Sequence, residues 1–391
     1  METQHWIWEN DNWPGFSFDA GKLLADMAAV SRLIGGLEVI SRTINEEEHV
    51  AALERVLADE ALGTSDIEGE ILRRSSVRTS IRKRLGMVSE QDDWDERADG
   101  LVSILFDSRN NTSKPLTIER LFAWHAALFP TGYSGLRKIR VGRYRGEEEM
   151  RIVSGAIGKE KVHYIAPPQD SLDKEMNRFL KWVNEDICQD LTLKAGIAHL
   201  WFIMIHPFDD GNGRVGRAIT DFILAQQFPK LMAVVSFSKH INLDRKGYYN
   251  ALEVAGKNGL DITLWLKWFL QTLAAAMHDS QWIVERVAIK ALFWQKHKDT
   301  ALNPRQLKVI NRLLDTGEKF EGPVTTRKYA GMTKCSKVTA SRDLHDLVEK
   351  NILERGAEGG RSTNYELTPM NKPQSLQNTV AGRSSGQYPG R

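Results

Sequence analysis

One twelve-residue segment constrains this chain more than any other: His206-Pro207-Phe208-Asp209-Asp210-Gly211-Asn212-Gly213-Arg214-Val215-Gly216-Arg217. Ahead of it, Leu193, Ile197, Leu200, Trp201 and Met204 fall on one helical stripe. Behind it, Val215, Ala218, Ile219, Phe222 and Ile223 repeat at i, i+3, i+4, i+7 and i+8. Both runs predict helices that bury one face. The segment therefore joins two core helices, and its Gly-Asn-Gly lies where the second begins.

A helix N-terminus carries unpaired N–H groups and partial positive charge, so it binds anions. Glycines at 211 and 213 let a phosphate approach the backbone closely. Arg214 and Arg217 project from the same side of the first turns, which describes a polyphosphate cradle. Asp210 stands where a carboxylate could hold Mg²⁺ between phosphate oxygens. His206, on the preceding turn, has the near-neutral pKa of a general base. Taken singly, each residue has an ordinary role: a capping histidine, solvated arginines, a glycine turn. Together, nine defined positions at roughly 6% usage coincide by chance on the order of 10⁻¹¹ per site.

The segment matches without a departure the His-Pro-Phe-x-(Asp/Glu)-Gly-Asn-Gly-Arg-x-x-Arg motif of the Fic family, and the resemblance extends over roughly 111–275. It implies a mostly helical core and an enzyme, a protein adenylyltransferase with ATP as substrate. In the family's terms His206 deprotonates the target hydroxyl and Asp210 binds Mg²⁺. The amides of Gly211, Asn212 and Gly213 and the side chain of Arg214 hold phosphates, and Arg217 contacts the γ-phosphate. The partner implied is a protein carrying a Ser, Thr or Tyr hydroxyl, which attacks the α-phosphorus in line while pyrophosphate leaves. Related Fic-fold proteins move UMP, phosphocholine or phosphate; Gly-Asn-Gly-Arg resembles the AMP-transferring version. A predicted hairpin at about 150–166 resembles the family's flap, which holds a target by strand addition. Tyr248-Tyr249-Asn250 resembles the lining of the base pocket, so Tyr249 is expected at the nucleotide, although paired tyrosines are commonly core.

Thr64-Ser65-Asp66-Ile67-Glu68-Gly69 resembles the family's inhibitory motif, (Ser/Thr)-x-x-x-Glu-(Gly/Asn). The mechanism this implies is a bidentate Glu68–Arg217 pair that competes with the γ-phosphate. The bland alternative is an exposed helix acid. A further one is the reverse reaction, a de-AMPylase in which Glu68 orients water.

The fold expected is mostly α: a Fic helical core with a β-hairpin flap, an N-terminal helical module and a C-terminal winged helix-turn-helix domain. The boundaries are 1–110 for the N-terminal module with the inhibitory motif, 111–280 for the catalytic core, 300–368 for the winged helix and 369–391 for a disordered tail. Trp6, Trp8, Trp13, Phe16 and Phe18 predict a segment that caps the helical body. One helical pattern runs from Lys22 to about Ile71, and Ser75 to Arg84 reads as a basic, solvated stretch. In 325–368, Val338, Leu344, Leu347 and Val348 are expected inward and Lys334, Lys337, Thr339 and Arg342 outward. Arg361 sits in a glycine-rich wing. The segment resembles winged-helix DNA-binding domains, which makes duplex DNA a candidate partner; protein contact or dimerisation is the other use of that fold. A DNA-binding regulator with a sensory Fic core is the alternative function.

The formal charge of +2 neither demands nor excludes nucleic acid. Cys188 and Cys335 are too few for a disulfide framework, which fits a reducing cytoplasm. The N-terminus has no secretory pattern. The most apolar stretch, 199–208, is too short to span a bilayer, so no membrane partner is expected. A homodimer remains a candidate assembly.

Overall fold

The computed structural model describes residues 5–41, 46–87, 93–154, 161–185, 190–228, 232, 234–257, 259–317, 320–356 and 363–369. Two compact units divide the chain. One holds residues 1–38 with 53–280, the other 39–52 with 281–391.

The first unit takes all or part of helices α1 (Ala20–Ser41), α2 (Glu46–Ile67), α3 (Arg74–Arg84), α4 (Glu96–Asn110), α5 (Ile118–Leu128), α6 (Leu172–Asn184), α7 (Leu191–Ile205) and α8 (Asn212–Gln227), followed by helices at 237–243, 245–257 and 263–296. The fold is mostly helical. The single helical run expected from Lys22 to Ile71 is two helices. The stretch expected to be solvated at 75–84 is α3, which buries Ser76, Val77, Ser80 and Ile81. Its arginines are absorbed by neighbours: Arg78 pairs with Glu54 at 2.8 Å and Arg84 with Asp99 at 2.6 Å.

Helices α7 and α8 form the centre. The sequence stripes predicted one buried face each, yet every side chain from Thr192 to Ile205 is buried, and so is nearly all of α8 from Asn212 to Ala225. A helix enclosed on all sides must satisfy its polar groups internally. Helix α8 does this through α2. Thr64 on α2 and Glu68 just past its end meet Arg217 of α8, and Glu60, one turn before Thr64, reaches Asp221 of α8 through Arg109 of α4. Arg109 Nε donates to Asp221 at 2.8 Å, and Arg109 Nη2 lies 3.9 Å from Glu60. Burial pushes the Asp221 carboxyl up to about 7. Glu60 also accepts hydrogen bonds from Ser236 Oγ at 3.0 Å and Ser238 N–H at 2.9 Å. Helix α2 is thereby anchored two turns before Glu68.

The aromatic N-terminal segment packs on the same body. Trp13 is buried, edge-on to Phe16 and Trp201, and its indole N–H donates to Glu175 at 2.8 Å. The antiparallel pair β1 (Tyr133–Ser134) and β2 (Arg137–Lys138) follows α5. Strands β3 (Arg151–Ser154) and β4 (Lys161–Ile165) pair antiparallel, with a register shift between Ile152 and Val153. The connecting residues 155–160 lie outside the described residues.

In the second unit, residues from 304–316, 326–333 and 337–349 pack helices around Val309, Ile310, Tyr329, Leu344 and Leu347. Strands β5 (Leu353–Arg355) and β6 (Tyr365–Leu367) pair antiparallel, and Val324 bridges to Tyr365. Val338, expected inward, is exposed; Ala340, Asp343, Leu344 and Leu347 make the buried face instead. Arg361, Cys188 and residues 370–391 lie outside the described residues. Among the described residues no helix is long and apolar enough to cross a membrane.

Candidate nucleotide site at the start of helix α8

Helix α7 stops at Ile205 because His206 takes a left-handed backbone, φ 51°. For a residue with a Cβ that conformation costs on the order of 1–3 kcal/mol. Neighbours hold it: His206 N–H donates to the Phe202 carbonyl at 3.0 Å, and Arg145 Nε donates to the His206 carbonyl at 2.8 Å. The imidazole Nδ1 lies 3.1 Å from the Ile203 carbonyl. A carbonyl only accepts, so Nδ1 carries the proton and Nε2 keeps its lone pair. Burial pushes the ring's pKa down to about 4. His206 is therefore a neutral imidazole at physiological pH, with a basic nitrogen available.

The loop from Pro207 to Gly211 is braced from two sides. Asn212 accepts from Phe208 N–H at 3.0 Å and donates to the Phe208 carbonyl at 2.9 Å, so its side chain turns onto the loop. His125 receives Gly142 N–H at Nδ1, 3.1 Å away, and therefore presents Nε2–H to the Asp210 carbonyl, also at 3.1 Å. Gly211 stands at φ 81°, and a Cβ there would lie 2.9 Å from the Phe129 ring. The Asp210 carboxylate accepts from Gly211 N–H and from the Ser134 hydroxyl. It is about 39% exposed and 3.9 Å from Arg214 Nη2.

At the first turn of α8 a carboxylate already sits where an anion would. Arg217 Nη2 donates to Glu68 Oε1 at 2.7 Å. A Cβ built on Gly213 would lie only 2.1 Å from that same oxygen. The pair is not the bidentate fork expected from sequence. Arg217 Nε donates to the Thr64 hydroxyl at 2.6 Å, and Nη2 is shared with the Thr64 carbonyl at 3.1 Å. Arg217 is buried, and although burial works against its charge, Glu68 and Tyr248 raise its pKa above the ordinary value. Its Nη1 is buried and finds no hydrogen-bond partner among the described residues, lying 3.0 Å from where a Gly213 Cβ would stand. Arg214 is buried too; its Nη1 donates to Glu70 at 2.6 Å, while its Nε has no partner among the described residues.

A cavity of about 630 Å³ opens beside this turn, lined by Glu68, His206, Gly213, Tyr248, Tyr249 and Val153 among others. The structure thus brings His206, Glu68, Gly213 and Tyr249 to one cavity. Arg217 is buried against Glu68, Gly211 ends the loop, Asn212 opens α8, and Asp210 and Arg214 are outside the lining of the cavity. Tyr249 is half-exposed, and its hydroxyl donates to the Ile67 carbonyl at 3.3 Å. Arg145, Ser134, His125 and Glu70 were not singled out by sequence. No spacing rule points to them, because they arrive from four different elements.

The model of the Fic/DOC family matches residues 115–224. A second model, described as a domain of unknown function (DUF4172), matches residues 6–87. A probable protein adenylyltransferase of Aquifex aeolicus is 32% identical over 94 residues, 24% of this chain and 29% of that protein. The protein adenylyltransferase Fic of Nematostella vectensis is 28% identical over 147 residues, 37% of this chain and 29% of that protein. The chain thus spans under a third of the length of these relatives. Among solved structures, a Fic domain containing signaling protein from Bacteroides thetaiotaomicron superposes with TM-score 0.51 at 17% identity, covering 67% of this chain and 97% of that one. That likeness concerns fold alone. The match to the Fic/DOC family thus covers the loop and helix start that carry His206 to Arg217.

Proposed function

We propose that this protein is a protein adenylyltransferase, a nucleotidyltransferase that moves AMP from ATP to a Ser, Thr or Tyr hydroxyl of a protein target. The observation that carries the reading is the Glu68 carboxylate over Gly213, paired with buried Arg217 beside the neutral His206. A helix start that accepts a carboxylate with an arginine beneath it is built for an anion. In the reaction, the target oxygen bonds to the α-phosphorus, the bond from that phosphorus to the β-bridging oxygen breaks, and pyrophosphate departs. His206 Nε2 takes the hydroxyl proton. The amides of Gly211, Asn212 and Gly213, with Arg214 and Arg217, hold the phosphates, and Tyr249 lines the side of the base. Little covalent work falls to the protein; orientation and charge neutralisation supply the rate.

Asp210 suits Mg²⁺: a partly exposed carboxylate, with phosphate oxygens and water completing the shell, is the usual way this ion is held. When bound, Mg²⁺ neutralises phosphate charge.

Glu68 acts as an inhibitor in this reading, because it must leave Arg217 before a γ-phosphate can take its place. The test is transfer from ATP labelled at the α-phosphate, with γ-labelled ATP in parallel, to wild type, Glu68→Gly and His206→Ala and to a cell lysate. The reading expects α-label that rises in Glu68→Gly and vanishes in His206→Ala. Label from γ alone would make the protein a phosphotransferase. No label in any variant, with AMP released from a pre-modified substrate, would make it a de-AMPylase.

A second activity is proposed for residues 325–368, read as a winged helix with β5 and β6 as the wing. Lys334, Lys337, Val338 and Arg342 are exposed on or beside the helix 337–349. A groove-entering helix needs such a face, cations for phosphate and an apolar group for thymine methyl. Binding to duplex DNA that weakens steeply with salt supports this, and salt-independent or absent binding refutes it.

A further inference from the structure

Helix α2 ends in a turn with two consequences. Gly69 stands at φ 76°, Gly69 N–H donates to the Asp66 carbonyl at 3.0 Å, and Glu70 N–H donates to the Ser65 carbonyl at 3.0 Å. These are the paired bonds of a helix closed by a left-handed glycine. The turn delivers two carboxylates to the first turn of α8. Glu68 takes Arg217, and Glu70 Oε2 takes Arg214 Nη1 at 2.6 Å. Arg214 is only 5% exposed in its side chain, so this is a shielded charge-assisted bond rather than a solvated surface pair. The other Glu70 oxygen lies 3.5 Å from Arg97 Nη1, on α4, whose side chain is half-exposed and also reaches Asp95 at 3.4 Å.

We infer that Glu70 is a second carboxylate restraint on the phosphate site, and that Arg97 is the cation that receives it when a nucleotide phosphate takes Arg214. A buried guanidinium stripped of its anion is costly. Exchange of Glu70 for phosphate keeps Arg214 compensated throughout, and its unpartnered Nε gains an acceptor. Glu70 needs only a side-chain rotation to complete its pair with Arg97, because the two are already adjacent. Glu68 and Glu70 thus control different arginines, and relief of one leaves the other in force.

The inference rests on the nucleotide-binding reading. Its test is the affinity of the full chain for Mg²⁺-ATP by titration calorimetry in the Glu68→Gly background, adding Glu70→Gln, Arg97→Gln and both together. Thermal melts would establish that each variant is folded. Glu70→Gln is expected to bind ATP about tenfold tighter, the scale of one charge-assisted bond released. Arg97→Gln is expected to bind more weakly by a few-fold, because Glu70 loses its alternative partner. The double variant is expected to match Glu70→Gln, since Arg97 has nothing to receive. Weakening by Glu70→Gln, or an Arg97→Gln effect that persists in the double variant, overturns the inference while leaving nucleotide binding intact. Absence of ATP binding in every folded variant overturns the nucleotide reading and this inference together.

Discussion

Arg217 and Glu68 meet at 2.7 Å, but the guanidinium is held as much by Thr64 as by the glutamate. Thr64 contributes its hydroxyl and its carbonyl, one turn back on α2, and so fixes the direction in which Arg217 points. Thr64, four residues ahead of Glu68, therefore has a defined physical task.

Thr64→Val should loosen that hold. The substitution keeps the shape and removes the acceptor for Arg217 Nε, leaving a buried charged donor unpaired at a cost of about 1–3 kcal/mol. Thermal melts should show a lower midpoint without nucleotide and a larger upward shift on adding Mg²⁺-ATP than in wild type. Identical melts with and without nucleotide would remove Thr64 from the latch.

Gly213→Ala should behave unlike Glu68→Gly. The new methyl would occupy the space 2.1 Å from Glu68 Oε1 and 3.0 Å from Arg217 Nη1. It displaces the glutamate, yet it also blocks close approach of a phosphate to the backbone. ATP affinity should fall by about tenfold or more, on the scale of one lost charge-assisted contact. Activation of AMP transfer by this substitution would mean that phosphate does not use the Gly213 amide.

The pH dependence of transfer should reflect a partly buried imidazole whose pKa is depressed. Burial depresses the His206 pKa to about 4, so the neutral, basic form persists far below the ordinary histidine range. Transfer by Glu68→Gly should stay level from about pH 8 to pH 5.5 and fall as pH drops toward 4, with substrate held saturating. His206→Ala should lose on the order of 10²–10⁴-fold across that range. An inflection near 6.5 would mean that the histidine is solvated in the working state.

Trp13→Ala should cost about 3–5 kcal/mol of stability, because a buried indole leaves a cavity that Phe16 and Trp201 cannot close. Its lost hydrogen bond also takes a donor from Glu175 Oε2, leaving Arg178 on Oε1 at 3.4 Å. Chemical denaturation should report a lower midpoint with an unchanged slope. A near-wild-type midpoint would make the N-terminal aromatic segment an ornament rather than a capping piece of the unit.

Much of the site was legible from the order of residues alone. The run from His206 to Arg217 fixes a helix end, a glycine turn and a helix start, because apolar spacing and glycine act locally along the chain. The spacing from Thr64 to Glu68 is likewise local, and it puts both residues on one face of α2. Tertiary structure decided the rest. Only packing determines that α2 lies against α8, so that Glu68 covers Gly213 and Glu70 reaches Arg214, 144 residues away in sequence. Only packing buries α7 and α8 on every side, which turns polar residues of α8 into partners for Thr64, Glu68 and Arg109. The depressed pKa of His206 also belongs to the fold, since desolvation depends on what surrounds the ring. Periodicity misjudged Val338, and basic charge misjudged the stretch 75–84, for the same reason: the local pattern records what could be buried or solvated, and the neighbours that arrive in space decide which it is.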